Sequence, residues 1–209
     1  MKKLIAAFLV ISITGCSHKP FKSVWTKEKA PSEFTMRFET SKGDIEISVT
    51  RAWSPLAADR FYQLVRHRYF NNTLFYRVVP DFVVQFGNTD TTITNRWNKY
   101  KIPDEPVIKG NLKGALSFAR SGKETRGTDL FINLKDNPRL DTVQSSGVTG
   151  FPVFGMVTKG METVEALYGG YGNKPLRVYD SLSANRTKYL EMFPKLDSIK
   201  RAYILKTKK

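Results

Sequence analysis

Two runs of alternating residues face each other near the start of the soluble part of this 209-residue chain. Phe34, Met36 and Phe38 alternate with polar residues, and so do Ile45, Ile47 and Val49, with Ser41-Lys42-Gly43-Asp44 between the runs. A period of two places every second side chain on one face of a pleated strand, and a polar turn with glycine between such runs reads as a β-hairpin. Further strand-like runs lie at 74–79, 82–87, 114–119, 129–134, 152–158 and 201–206, which brings the count to eight. Ser54-Pro55 predicts a helix start, as N-cap and first-turn proline, with Ala57, Phe61, Leu64 and Val65 as its apolar stripe to about His67. A second, short helix fits 161–167. Eight strands can close into a barrel filled by their own side chains. The expected fold is therefore mainly β: a closed eight-stranded antiparallel barrel capped by two helices, spanning 34–209.

Two stretches exceed a minimal barrel. Residues 89–111 read as a long loop carrying Trp97 and Tyr100. Residues 169–198 read as an insertion before the last strand, with a helix candidate over 184–192 ended by Phe193-Pro194. The cluster Gly169-Gly170-Tyr171-Gly172 lacks the strand before it and the helix after it that a phosphate-binding loop needs, and reads as a turn.

The first residues have a different character. Lys2 and Lys3 precede a ten-residue apolar run, Leu4 to Ile13, which is too short to span a bilayer and suits a signal core. Ile13-Thr14-Gly15-Cys16 resembles the lipobox of bacterial lipoproteins, in which the cysteine is lipidated and becomes the new first residue. Cys16 is the only cysteine, and lipidation accounts for an unpaired one in an exported chain. The expected organisation is a signal peptide over 1–15, then a lipidated Cys16 and a polar tether over 16–33. The implied location is the cell envelope, on the periplasm-facing outer membrane if the cell is Gram-negative, since Ser17 rather than Asp follows the cysteine. The membrane is then a partner through the lipid.

The formal charge is +15. The basic residues are scattered rather than set in a stripe, so solubility explains them better than nucleic acid does, and export argues against a nucleic-acid partner. Two histidines, no His/Cys/carboxylate cluster at metal-ligand spacing and no G-x-S-x-G make a metalloenzyme or a serine hydrolase a poor fit. No metal and no cofactor is expected, and a monomer is.

The informative segment runs from Phe75 to Asn88. Two strand runs meet at Pro80-Asp81, and Arg77 and Gln85 can share a face beside Phe82 and Val83. This segment resembles the cyclophilin signature F-x-R-x-x-P-x-F-x-x-Q-x-G at Phe75, Arg77, Pro80, Phe82, Gln85 and Gly87. The resemblance continues in order through Gly114 to Arg120, Asp129-Leu130-Phe131-Ile132, Leu140-Asp141, and Phe151 to Val157 followed by Gly160-Met161. It implies a peptidyl-prolyl cis-trans isomerase acting on proline-containing peptides and unfolded exported proteins. Arg77 would be the catalytic arginine and Gln85 its orienting partner. Phe82, Val83, Phe131 and Leu140 would form the proline pocket, with Ala119, Arg120, Asp129 and Phe151 also in the substrate site. Several positions depart from the usual pattern: Asp129 for Gln, Arg120 for Asn, Arg139 for a pocket-edge aromatic, Phe151 for His and Phe86 for Gly. Asp129 could pair with Arg77 or Arg120. These departures keep open an alternative, a catalytically weak module of the same fold that binds proline-containing peptides or partner proteins.

Overall fold

The computed structural model describes residues 20–87 and 91–208; Cys16 and the expected signal peptide over 1–15 lie outside them. The predicted hairpin forms from β1 (Glu33–Thr40) and β2 (Asp44–Thr50), with Phe34 opposite Val49, Met36 opposite Ile47 and Phe38 opposite Ile45. All six side chains are buried, because the period-two pattern sends them to one face. Helix α1 (Pro55–Arg66) lays Phe61, Leu64 and Val65 on that face. Its first turn is capped by a distant residue. The Glu105 carboxylate accepts from Leu56 N (2.8 Å), Ala57 N (3.1 Å) and the Ser54 hydroxyl, so Ser54 is a donor to the cap rather than the cap itself.

The chain continues through β3 (Thr73–Leu74), β4 (Arg77–Val79), β5 (Val83–Phe86), α2 (Thr91–Asn98), β6 (Ala115–Phe118), β7 (Leu130–Asn133) and α3 (Arg139–Thr142). A small hairpin, β8 (Gln144–Ser145) with β9 (Val148–Thr149), precedes β10 (Val153–Lys159) and α4 (Met161–Glu165). Three short helices follow, α5 (Lys174–Arg177), α6 (Tyr179–Ala184) and α7 (Arg186–Met192), and β11 (Ser198–Lys208) ends the fold.

The main sheet is mainly antiparallel and curled, but its ladder is not the expected closed eight-stranded barrel. It has nine strands in the order β3-β11-β1-β2-β10-β6-β7-β5-β4, with an edge at each end. The difference lies in the run 74–79, expected as one strand. It bends at Phe75-Tyr76, so Leu74 pairs with β11 while Arg77 pairs with β5. Phe75 N still bonds Asp197 O at 2.9 Å on the β11 side. The two edges are thus joined through the chain and not by a ladder.

Three further expectations change. Residues 91–98 form α2 where a loop was expected, and Trp97 is buried at 2% exposure. Residues 20–33 are not a free tether. Phe21 packs edge-on to Trp97 (5.1 Å between ring centroids), Trp25 stacks on His67 (3.9 Å, 5°), and Ala30 N donates to Asp59 Oδ1 (2.8 Å). More helices are present among the described residues than the two expected, and residues 169–198 hold three of them, α5 to α7.

Candidate active site

The register across β4, β5, β7 and β6 sorts the site from the core. Val78, Val84, Ile132 and Leu116 line up across the sheet and are buried inside. The neighbouring line, Arg77, Gln85, Phe131 and Ser117, therefore points to the outer face. Val79-Pro80-Asp81-Phe82 makes the turn between β4 and β5. Phe82 N donates to Val79 O at 3.1 Å, proline fixes the first central residue, and Asp81 takes φ +56° at the second. Gly87, just after β5, has φ +116°, and an added Cβ would lie 2.1 Å from the Thr128 carbonyl oxygen.

Arg77 and Gln85 meet as the register requires. Arg77 Nη1 donates to Gln85 Oε1 at 2.7 Å, and the guanidinium carbon sits 5.6 Å from the centre of the Phe82 ring. Burial holds the Arg77 pKa below its usual value, yet a guanidinium starts so high that it stays charged. Beside it, Val83, Phe131 and Leu140 form one apolar cluster, against which Phe82, Ala119, Val143 and Phe151 pack. Phe151 meets Phe131 edge-on at 5.6 Å.

A buried chain of amides holds this floor together. Asn137 Nδ2 donates to Asn133 Oδ1 (2.7 Å), Asn133 Nδ2 to Asn111 Oδ1 (3.1 Å), and Asn111 Nδ2 to both Asp141 Oδ1 (2.7 Å) and Phe151 O (2.9 Å). It ties α3, which carries Leu140, and Phe151, just ahead of β10, to the sheet. Buried polar groups satisfied by one another fix a unique geometry. Sequence reasoning singled out Asp141 but not the three asparagines.

The remaining site candidates fall to the side of the cleft. Arg120, whose side chain is 3% exposed, lies over the Phe151 ring (4.7 Å), pairs with Asp104 (3.4 Å) and donates to Gly150 O. Ala119 N donates to Asp129 O at 2.9 Å. Asp129 pairs with neither Arg77 nor Arg120, which corrects the expectation from its charge. Its Oδ1 instead accepts from the Tyr76 hydroxyl (3.0 Å) and the Tyr179 hydroxyl. Desolvation raises the Asp129 pKa despite both bonds. Arg139 is exposed. Among the described residues no group of three or more His, Cys, Asp or Glu is placed to hold a metal ion.

One contact was absent from the sequence reading. Arg77 Nε donates to Asn173 Oδ1 at 2.6 Å. The two residues are 96 positions apart, and no periodicity links them.

The site is thus an arginine on the outer face of a curled antiparallel sheet, pinned by Gln85 beside an apolar cleft. Residues 35–180 match the family described as cyclophilin type peptidyl-prolyl cis-trans isomerase/CLD. A peptidyl-prolyl cis-trans isomerase of Acinetobacter baylyi is 31% identical over 149 residues, 67% of this chain and 78% of the relative. The isomerase CYP18-2 of Arabidopsis thaliana is 32% identical over 168 residues, 78% of this chain and 97% of the relative. The crystal structure of a cyclophilin type isomerase of Cryptosporidium parvum shares the fold with a TM-score of 0.60 at 22% identity, covering 84% of this chain and 99% of its own. The same parasite protein has been crystallised in the presence of the dipeptide Ala-Pro. This chain belongs to the cyclophilin-type peptidyl-prolyl cis-trans isomerases, and it is an isomerase.

Proposed function

We propose that this isomerase speeds the folding of exported proteins in the cell envelope, where lipid on Cys16 holds it, and that Arg77 drives the reaction. The observation that carries the mechanism is the half-buried guanidinium, fixed by Gln85 at 2.7 Å beside the Val83–Phe131–Leu140 floor. Resonance gives an X–Pro bond a rotation barrier of about 18–20 kcal/mol. In the twisted state the prolyl nitrogen loses conjugation and regains a lone pair. A donor aimed at that nitrogen binds the twisted state better than either planar one, and only such differential binding accelerates a step. The proline ring would rest on Phe82, Val83, Phe131 and Leu140, with Phe151 and Ala119 at its margin. No bond breaks, so neither an acid–base pair nor a cofactor is required.

The binding-only alternative rests on Asp129, Arg120 and Arg139. Asp129 is engaged by two tyrosines and Arg120 by Asp104 and Gly150, which favours the enzyme, while Arg139 is exposed. The test is cis-to-trans conversion of an X–Pro peptide by the wild type and Arg77→Ala. Removing a donor matched to the transition state should cost about 10²–10³ in rate. Equal rates would overturn the role of Arg77, and a wild type no faster than the uncatalysed reaction would overturn the activity. For the location, Cys16→Ala should release the protein from the membrane fraction. An unlipidated mature terminus in the wild type, read by mass spectrometry, would refute the anchor.

A further inference from the structure

We infer that Asn173 is a positioning residue for the reaction, and that the 169–198 segment serves to deliver it to Arg77. The inference rests on the reading of Arg77 as the reacting donor and extends it to a part of the chain outside the cleft.

A guanidinium presents Nε–H along one edge and Nη1 along the other, with the outer hydrogens between them. Gln85 holds Nη1 at 2.7 Å and Asn173 holds Nε at 2.6 Å. One acceptor alone would let the plane pivot about that single contact. Acceptors on both edges fix it. Among the described residues, the hydrogen bonds of the guanidinium run from Nε and Nη1 and not from Nη2. The second acceptor is the side-chain oxygen of Asn173, which orients the cation through Nε–H.

The segment is fastened so that this acceptor cannot drift. Gly172 bridges Val78 on β4, one residue from Arg77. The turn Gly169–Gly172 closes with Gly172 N on Gly169 O at 3.0 Å, and Gly169 lies so close to Pro80 that an added Cβ would stand 3.0 Å from its ring. On α6, the Tyr179 ring packs on Tyr76 (4.9 Å), and its hydroxyl reaches Asp129. On α7, Tyr189 is fully buried, packs with Leu74 and donates to Pro175 O at 3.2 Å. Three separate attachments thus bracket a single side chain at the guanidinium. Orientation fixed before substrate arrives is entropy that the reaction need not lose later.

The experiment resolves kcat from KM for X–Pro exchange by NMR line-shape analysis, in the wild type, Asn173→Ala, Asn173→Asp and Arg77→Ala. Asn173→Ala should lower kcat by roughly 3–10-fold with KM nearly unchanged. The Arg77 Nε–H resonance should move or broaden in the same variant. Asn173→Asp restores an acceptor at the same place and should recover both the resonance and most of kcat. A purely structural residue would lower the melting temperature without these effects. The inference is overturned if Asn173→Ala keeps the wild-type kcat, if kcat falls while the Nε–H resonance stays put, or if Asp rescues neither. If Arg77→Ala itself keeps full activity, the reading of Arg77 fails first; if Arg77→Ala is inactive and Asn173→Ala is not impaired, only the present inference fails.

Discussion

Replacing Tyr179 with Phe removes one hydroxyl and keeps the ring that packs 4.9 Å from Tyr76. What is lost is a donor to Asp129 Oδ1, leaving the Tyr76 hydroxyl at 3.0 Å as its other donor. No described cation lies within ion-pair distance of Asp129, and Lys101 acts on it only by longer-range attraction. The two hydroxyls therefore support a desolvated carboxylate. A hydrogen bond to a charged group contributes about 1.5–3 kcal/mol, against about 0.5–1.5 kcal/mol for a neutral pair. For a domain of this size each kcal/mol moves the melting temperature by about 2–4 °C, so Tyr179→Phe should lower it by roughly 3–12 °C. In an Asp129→Asn background the same change should cost about half as much, which a double-mutant cycle measures. The Tyr179 bond favours the ionised form and lowers the Asp129 pKa; removing it raises that pKa further. The destabilisation is then complete above both folded pKa values and shrinks to the neutral-pair contribution as the pH falls below them and Asp129 protonates. Thermal melts of the four proteins across that range decide the matter. Equal losses in both Asp129 backgrounds, or a loss that does not shrink on acidification, would show that the hydroxyl does not support a buried charge.

Arg77→Lys keeps a cation but cannot hold Gln85 and Asn173 from opposite edges and still face substrate. It should lose about tenfold to a hundredfold in kcat/KM, ~1.4–2.8 kcal/mol. Phe131→Leu keeps the floor apolar but removes the edge-on contact with Phe151, a pair contributing about 0.5–1.5 kcal/mol; KM should rise with kcat little changed in the same exchange assay. Gly87→Ala forces a Cβ onto the Thr128 carbonyl at φ +116°. It should destabilise by well over about 1 kcal/mol, read as a fall in the denaturation midpoint.

Local pattern made the β1–β2 hairpin, α1 and the β4–β5 turn legible, because each depends on spacing within a dozen residues. Arg77 and Gln85 fall on one face by the same period of two. Contacts made across the chain left no such trace. Glu105 caps α1 from about fifty positions away, the Asn111–Asn133–Asn137 chain joins three elements, and Asn173 and Tyr179 reach Arg77 and Asp129 from the C-terminal third. Polar side chains in loops have no period, so nothing in their spacing marks them as partners. The split of 74–79 into two edge strands escaped notice because apolar residues continue through the bend. Helix α2 was hidden by its polar composition, although Ile93 and Trp97 stand four apart. Phe21 and Trp25 carried the same spacing in a stretch otherwise suited to a tether.

With the chain folded down from Pro20 onward, the lipid proposed on Cys16 would be separated from the globule by only three residues, a reach of no more than about 14 Å. A molecule anchored in that way would stand like a buoy moored tight to the bilayer and not like one on a long line. Clients emerging at the lipid surface would then meet it before those already adrift in the compartment.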